Sequence, residues 1–407
     1  MPGDISRSSS AKSAQRGRTF FLSGYYGQGN LGDDLLLQAT IEGISRISPV
    51  RCFIVRNERD IAGLTSLPVP VELTGVDRIA ADQTKSKLRR LVSTLAAYRR
   101  YFRRCDWLIF GGGTVFHERT SSLPIAMTFL VCLLARTMGV RIAALGVGVA
   151  SIRSRAGKFL LKRIVGLSDV FAVRDDEALT ECAKAHADSR VVLTSDLVFT
   201  MEKQIRAAGK ATPSLKMPIV GISIYPPALR HSCVGDSTSS ILRNVIEAIL
   251  LRGWGVVLMT FHHQPGGTNI GLDADHLLRL ADGLTAGRPG QIKHVVLNAA
   301  NMSDLSDVFS EISVHCGMRF HGHVLSAIFG KPFVGIAVDN KIDAICHLFE
   351  MPIVQLNELS AERIVRAIDQ ALETRFDQTT LTGCKESAEK NFVLLAGKLA
   401  VSSPVSP

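Results

Sequence analysis

At 407 residues the chain is longer than the roughly 250 to 300 at which one hydrophobic core stops growing, so it reads as two domains. Hydrophobic residues at 46% and charged residues at 21% fit an ordinary globular protein and exclude a disordered or fibrous chain. The net charge of +10 points to an acidic partner, and with an aromatic content of only 6% a phosphorylated substrate or an anionic membrane surface fits better than nucleic acid.

Residues 1–18, MPGDISRSSSAKSAQRGR, are polar and basic with no apolar run, which reads as a disordered lead-in and not a signal peptide. TFFLSG (19–24) is a strand that enters the glycine-rich GYYGQGNLGDD (24–34), after which LLLQATIEGISRI has helical spacing. The pattern recurs with RCFIV (51–55), WLIFGGG (107–113) followed by a helix from 123, RIAALGVGVA (141–150), VFAVRDD (170–176) with a helix behind it, and RVVLTSD (190–196). The stretch Leu123–Leu134 is too short to span a bilayer and reads as a buried helix. MEKQIRAAGKATPSLKMP (201–218), polar with two prolines, is the expected linker between an amino-terminal domain of 19–200 and a carboxyl-terminal domain of 219–375. Strands then follow at IVGISIY (219–225), GVVLMTF (255–261), KHVVLNA (293–299), SVHCG (313–317) and FVGIAV (333–338), with helices near 238–252 and 303–310 and from 321. Residues 376–407 hold a final helix, near 384–400, and a tail. Apolar strands alternating with helices make an α/β protein of two doubly wound parallel sheets, whose ligands sit beyond the carboxyl ends of the strands. The eight cysteines stand singly with no CxxC, as reduced thiols in a cytosolic protein do, and offer no zinc site.

Four loops at those strand ends carry candidate chemistry. In GYYGQGNLGDD, Gly29, Asn30, Gly32 and Asp33 open the first helix, where a backbone without Cβ lets a ligand approach; the competing reading is a tight turn with Asp33 or Asp34 as the helix cap. Gly111, Gly112 and Gly113 form a second such loop. Arg174 ends a strand, where a guanidinium is a good anion fork, although a salt bridge to Asp175 and Asp176 would also explain it. The densest signal is HCGMRFHGHVLSAIFGKPFVGIAVDNKID (315–343): Arg319, His321, His323 and Lys341 together are too polar for a core and suit anion binding with proton transfer.

In order along the chain, GxxGxGNxGDxxxL, GGG, VRD and RxH followed by GxPxVxIxxDxKI resemble the polysaccharide pyruvyl transferase family over about residues 19–350. The resemblance implies two Rossmann-like domains facing a cleft, similar to type B glycosyltransferases, with the acceptor on the amino-terminal side and the donor on the carboxyl-terminal side. It implies phosphoenolpyruvate as donor and a saccharide, free or lipid-linked, as acceptor, with Arg174, Arg319, His321 and Lys341 contacting the donor. No metal or cofactor is required. The family's acidic motif after the second strand of the carboxyl-terminal domain falls in FHHQPGGTNIGLDAD (261–275), where Asp273 or Asp275 would contact the acceptor. Two other readings stay open: a nucleotide-sugar glycosyltransferase, which needs a carboxylate for the donor ribose and not the Arg, His, Lys set, and a non-catalytic binder of anionic ligands.

KSKLRRLVSTLAAYRRYFRR (85–104) holds eight Lys or Arg and no acid, with Leu88, Leu91, Val92, Leu95, Tyr98 and Phe102 at helical spacing. This basic amphipathic helix would hold a cytoplasmic enzyme against the inner face of an anionic membrane, or else simply pack its stripe on the domain.

Overall fold

The computed structural model describes residues 17–57, 69–82, 84, 86–118, 121–209, 217–226, 235–262, 273–284 and 290–400. The first sheet comprises β1 (Arg18–Ser23), β2 (Val50–Val55), β3 (Val71–Leu73), β4 (Trp107–Gly111), β5 (Thr114–His117), β6 (Arg141–Ala150), β7 (Val170–Val173) and β8 (Val192–Leu193). Its helices are α1 (Leu31–Ile47), α2 (Val76–Ala81), α3 (Lys87–Phe102), α4 (Leu123–Thr137), α5 (Arg155–Leu167) and α6 (Asp176–Lys184). A 3-10 turn at Leu197–Met201 and the short α7 (Glu202–Ala207) lead onward. The second sheet comprises β9 (Ile219–Ser223), β10 (Gly255–Thr260), β11 (Ile292–Val296), β12 (Val314–Gly317), β13 (Phe333–Ala337) and β14 (Ile353–Gln355). With it go α8 (Gly235–Leu251), α9 (Asp273–Ala281), α10 (Met302–Glu311), α11 (Phe320–Ile328), α12 (Asn340–Leu348), α13 (Ala361–Glu373) and the long α14 (Gln378–Ala400).

All strand pairs are parallel, in the order β3-β2-β1-β4-β6-β7-β8, with β5 added beside β6, and β11-β10-β9-β12-β13-β14. In both sheets the order reverses beside the first strand, so each has a switch-point crevice, between β1 and β4 and between β9 and β12. The central strands are apolar on both faces because helices cover both: Phe21, fully buried, lies between Ile54 and Leu108.

The sheets are joined by more than the chain. The largest apolar cluster takes Phe20 and Leu35 from the first half, Leu325 and Phe349 from the second, and Phe392 from α14. The segment expected as a linker begins as structure, since Met201 at the end of the 3-10 turn and Ile205 of α7 are buried; just before it, the Phe199 ring sits 6.5 Å from that of Phe349. Helix α14 runs back over the first sheet, where Arg18 donates to the Leu399 carbonyl and Arg141 to that of Lys398.

Helix α4 is buried on one face only: Ile125, Val131, Cys132 and Ala135 pack inward, while Leu123 is 60% and Leu133 41% exposed. No helix among the described residues is long and apolar enough to cross a membrane. The seven described cysteines are free; Cys233 lies outside the described residues.

Candidate functional site

The two crevices face each other across a cleft, and the first wall is the start of α1. Asn30 caps it, its side chain accepting from the Gly32 N–H at 3.3 Å. The aspartates do not cap, because each has another partner. Asp34 is buried and accepts from the Gly27 N–H at 2.7 Å, and Asp33 accepts from Asn30 Nδ2 at 2.6 Å. The second half stitches itself to this turn. Leu31 N–H donates to the Phe261 carbonyl at 2.9 Å, and His262 Nε2 donates to the Gln28 carbonyl at 2.9 Å.

Gly32 has a different use from the one expected. A Cβ built there would lie 1.9 Å from His321 Nδ1, so the glycine makes room for an imidazole of the other half and not for a ligand. Gly29 is buried in the turn with φ of 75°, a left-handed conformation that the turn demands. Gly111 and Gly112 are likewise corrected: both are buried, and added methyls would strike Thr40, Tyr26 and Leu36, so they let α1 lie close on the sheet. Gly113, buried with φ of 74°, faces Asp33 and lines neither cavity of the cleft.

The opposite wall is the β12–α11 turn. Arg319 donates through Nε to the Ile224 carbonyl at 2.9 Å and to Asp273 Oδ2 at 3.0 Å, pairs again with Asp273 through its terminal nitrogen, and lies 4.9 Å from the Tyr225 ring centre. Asp273 is fully buried and also accepts from the N–H groups of Phe261 and His262 at 3.3 and 3.2 Å. Burial raises its carboxyl while Arg319 pulls it down, with a net upward shift. It is thus the clamp that sets Arg319 and not an acceptor contact; Asp275 is exposed on α9, and neither aspartate lines the cleft cavities.

His321 Nε2 stands 3.6 Å from Asp196 Oδ2, and Arg174 Nη1 donates to the same oxygen at 3.0 Å. Asp196 is 2% exposed. Burial would raise its carboxyl, but the charge of His321, with that of Arg174 behind it, holds it down at about 2. Arg174 also pairs with Asp175 at 3.3 Å and donates to Thr114 Oγ1 at 3.3 Å, and Asp175 caps α6 through the Ala178 N–H. The two readings of Arg174 therefore coexist: it is held by carboxylates and it lines the cleft. Lys341, in the first turn of α12, pairs with Asp339 at 3.0 Å.

His323 does not belong to the site. It is fully buried on the inner face of α11, within hydrogen-bonding distance of His315 Nδ1 and the Gly317 carbonyl, both at 3.2 Å, and burial depresses it to about 4. His315 in turn meets Ser223 Oγ at 2.9 Å. This neutral pair fills the core under the strand end. No group of His, Cys, Asp or Glu among the described residues is arranged to hold a metal.

A cavity of about 510 Å³ collects Arg174, Arg319, His321 and Lys341 with Asn30 and Tyr225. A second, of about 680 Å³, adjoins it through Asn30, Tyr225 and Arg319 and carries Asp33. Asp196 and the double role of Asp273 went unseen in the sequence. The one signal for Asp196 was its place at the end of RVVLTSD, a strand end like that of Arg174.

The fold resembles that of several solved nucleotide-sugar enzymes. The UDP-GlcNAc 2-epimerase from Methanocaldococcus jannaschii superposes with a TM-score of 0.64 at 10% identity, over 93% of this chain and 99% of that one. The UDP-GlcNAc 2-epimerase from Neisseria meningitidis bound to UDP-GlcNAc gives 0.55 at 10% identity, over 94% and 99%. Anabaena Alr3699/HepE in complex with UDP and glucose gives 0.53 at 13% identity, over 95% and 99%. These likenesses support the two-domain Rossmann-like architecture of type B glycosyltransferases and, at such identities, nothing finer. No curated protein matches the sequence. The family model for polysaccharide pyruvyl transferase matches residues 30–340, a span that runs from the cap of α1 to the start of α12 and takes in both walls of the cleft. On that match the chain is a transferase enzyme that belongs to the polysaccharide pyruvyl transferase family.

Proposed function

We propose that the enzyme takes pyruvate from phosphoenolpyruvate and sets it as a cyclic ketal on two hydroxyls of a saccharide, releasing phosphate. The observation that carries this reading is the convergence of Arg174, Arg319, His321 and Lys341 on one cavity. Phosphoenolpyruvate brings a carboxylate and a phosphate, and planar guanidinium forks suit both. Asp196 and Asp273, behind the wall, hold the two forks in place before substrate arrives. Lys341 would turn from Asp339 to the donor. His321, at the end of the cavity nearest Asp196, is the acid that protonates the methylene carbon, which makes the central carbon electrophilic.

Titration calorimetry of the full-length protein tests the donor. Phosphoenolpyruvate is expected to saturate and UDP-sugars to give no heat. Saturation by a UDP-sugar with none by phosphoenolpyruvate would replace this reading with that of a nucleotide-sugar transferase.

We further propose that the enzyme works at the inner face of an anionic membrane, on a saccharide that is free or lipid-linked. Support comes from α3: Tyr98 and Phe102 are buried, but Leu88 and Val92 stand 69% and 59% exposed at the end that carries the exposed Lys87 and Arg89, and the other end carries the exposed Arg99 and Arg100. Packing on the domain thus accounts for the carboxyl-terminal half of the stripe and leaves Leu88 and Val92 of the other half facing solvent. Lys85 lies outside the described residues.

A further inference from the structure

The larger cavity has a composition unlike its neighbour's. Tyr25 from the first half and Tyr225 from the second stand on its walls with Asp33 and Gln28, and Met127 and Val131 form an apolar end. Aromatic faces with nearby hydrogen-bonding side chains are what the mixed apolar and hydroxylated faces of a pyranose require. Asp33 occupies the junction. It lines this cavity, follows the glycine on which His321 rests, and its carboxylate lies within the electrostatic reach of His321, Lys341 and Arg174 in the other. The hydrogen bond from Asn30 Nδ2 fixes its orientation. Other groups in reach are committed. Asp34 bonds to Gly27 and lines neither cavity, Asp77 is paired with Arg56 at 2.7 Å, and His262 donates through Nε2 to the Gln28 carbonyl at 2.9 Å.

We infer that the larger cavity seats the acceptor saccharide and that Asp33 is the general base that removes the proton from its attacking hydroxyl. The inference rests on the phosphoenolpyruvate reading of the smaller cavity. In the first step the acceptor oxygen bonds to the central carbon, its proton passes to the Asp33 carboxylate, and the carbon–carbon double bond breaks as the methylene takes a proton from His321. In the second step the carbon–phosphate oxygen bond breaks, the neighbouring hydroxyl closes the ring on the same carbon, and its proton leaves with the phosphate. Transfer of the proton from Asp33 to His321 restores the resting state. Burial raises the Asp33 carboxyl, with His321, the Asn30 bond, Lys341 and Arg174 pulling the other way, and the net upward shift makes it a better base than a free carboxylate.

The test uses full-length protein and the methyl glycosides of galactose, glucose, mannose and their N-acetylamino forms, the probe being whichever releases most phosphate from phosphoenolpyruvate with wild type. Asp33→Asn keeps the shape and the bond to Asn30; it is expected to bind phosphoenolpyruvate within about threefold of wild type, to release phosphate at least ~10²-fold more slowly, and to lose the acidic limb of the kcat–pH profile. Tyr25→Ala is expected to raise the glycoside KM several-fold with donor binding unchanged. Turnover of Asp33→Asn within about fivefold of wild type, with the acidic limb intact, would overturn the base. No phosphate release with any glycoside while phosphoenolpyruvate binds, or an unmoved KM in Tyr25→Ala, would overturn the acceptor assignment. Failure of phosphoenolpyruvate to bind wild type strikes the donor reading instead, so the two are separable.

Discussion

Gly32→Ala puts the coupling between the two halves to a direct test. The added Cβ would lie 1.9 Å from His321 Nδ1 and 2.5 Å from its Cγ, where ordinary contact begins at 3.4 Å, so the ring must retreat by about 1.5 Å (3.4 − 1.9). Gly32 is not in the left-handed region and lies within the first turn of α1, so alanine suits the backbone and even favours the helix by up to about 1 kcal/mol. The fold should survive with a thermal midpoint near that of wild type. The chemistry should not, because a misplacement of about 1 Å in a catalytic group can cost ~10²-fold in rate. Phosphate release from phosphoenolpyruvate in the presence of acceptor, calorimetric donor binding and thermal denaturation are measured together. Gly397→Ala, with open space around its Cβ, is the control. A turnover of Gly32→Ala within threefold of wild type would show that the position of His321 against α1 has no part in catalysis.

His321→Ala should retain most donor binding, since Arg174, Arg319 and Lys341 remain, and lose roughly 10²-fold or more in turnover; near-normal turnover at saturating donor would remove the acid assignment. Arg319→Ala should differ in kind: it weakens donor binding and also leaves the fully buried Asp273 without its guanidinium, at a cost of about 3 to 5 kcal/mol, so a lowered thermal midpoint must accompany the lost affinity. Burial raises the Asp34 carboxyl to about 7, against a bond from Gly27 that lowers it and a charge from Asp33 that raises it. With an unfolded value near 4, stability is therefore greatest below that value and declines as pH rises toward 7, by at most roughly 4 kcal/mol. Asp34→Asn should flatten that decline, raising the thermal midpoint more at pH 8 than at pH 5; an equal effect at both would contradict the assignment. Changing Arg89, Arg90, Arg99, Arg100, Arg103 and Arg104 to Gln should abolish salt-sensitive sedimentation with anionic liposomes, each lysine or arginine near such a leaflet being worth ~1 kcal/mol in general. Equal sedimentation of wild type and variant at low salt would make α3 a packing helix only.

Strand and helix alternation, and hence two doubly wound sheets, could be read from the chain because periodicity is a property of neighbouring residues. So could the grouping of Arg319, His321 and Lys341, which lie within one turn–helix–strand–turn unit and need no distant contact to be brought near each other. Even there a local rule was missed: two residues on a helix are about 200° apart, so when His321 faces the cleft His323 must face the core. The remaining features depend on docking. Asn30 and not Asp33 caps α1, because both aspartates find partners across the turn. Gly111 and Gly112 answer to α1, and Asp273 to Arg319 across 46 positions. Asp196 meets His321 across 125 positions (321 − 196), and Gly32 meets the same ring from a third part of the chain. The sequence by itself determined the elements and the chemistry available at their ends; which of those ends meet, and which polar groups are used up in holding others, was decided only when the two sheets packed through their shared apolar cluster, since a contact between residues hundreds of positions apart leaves no trace in local spacing.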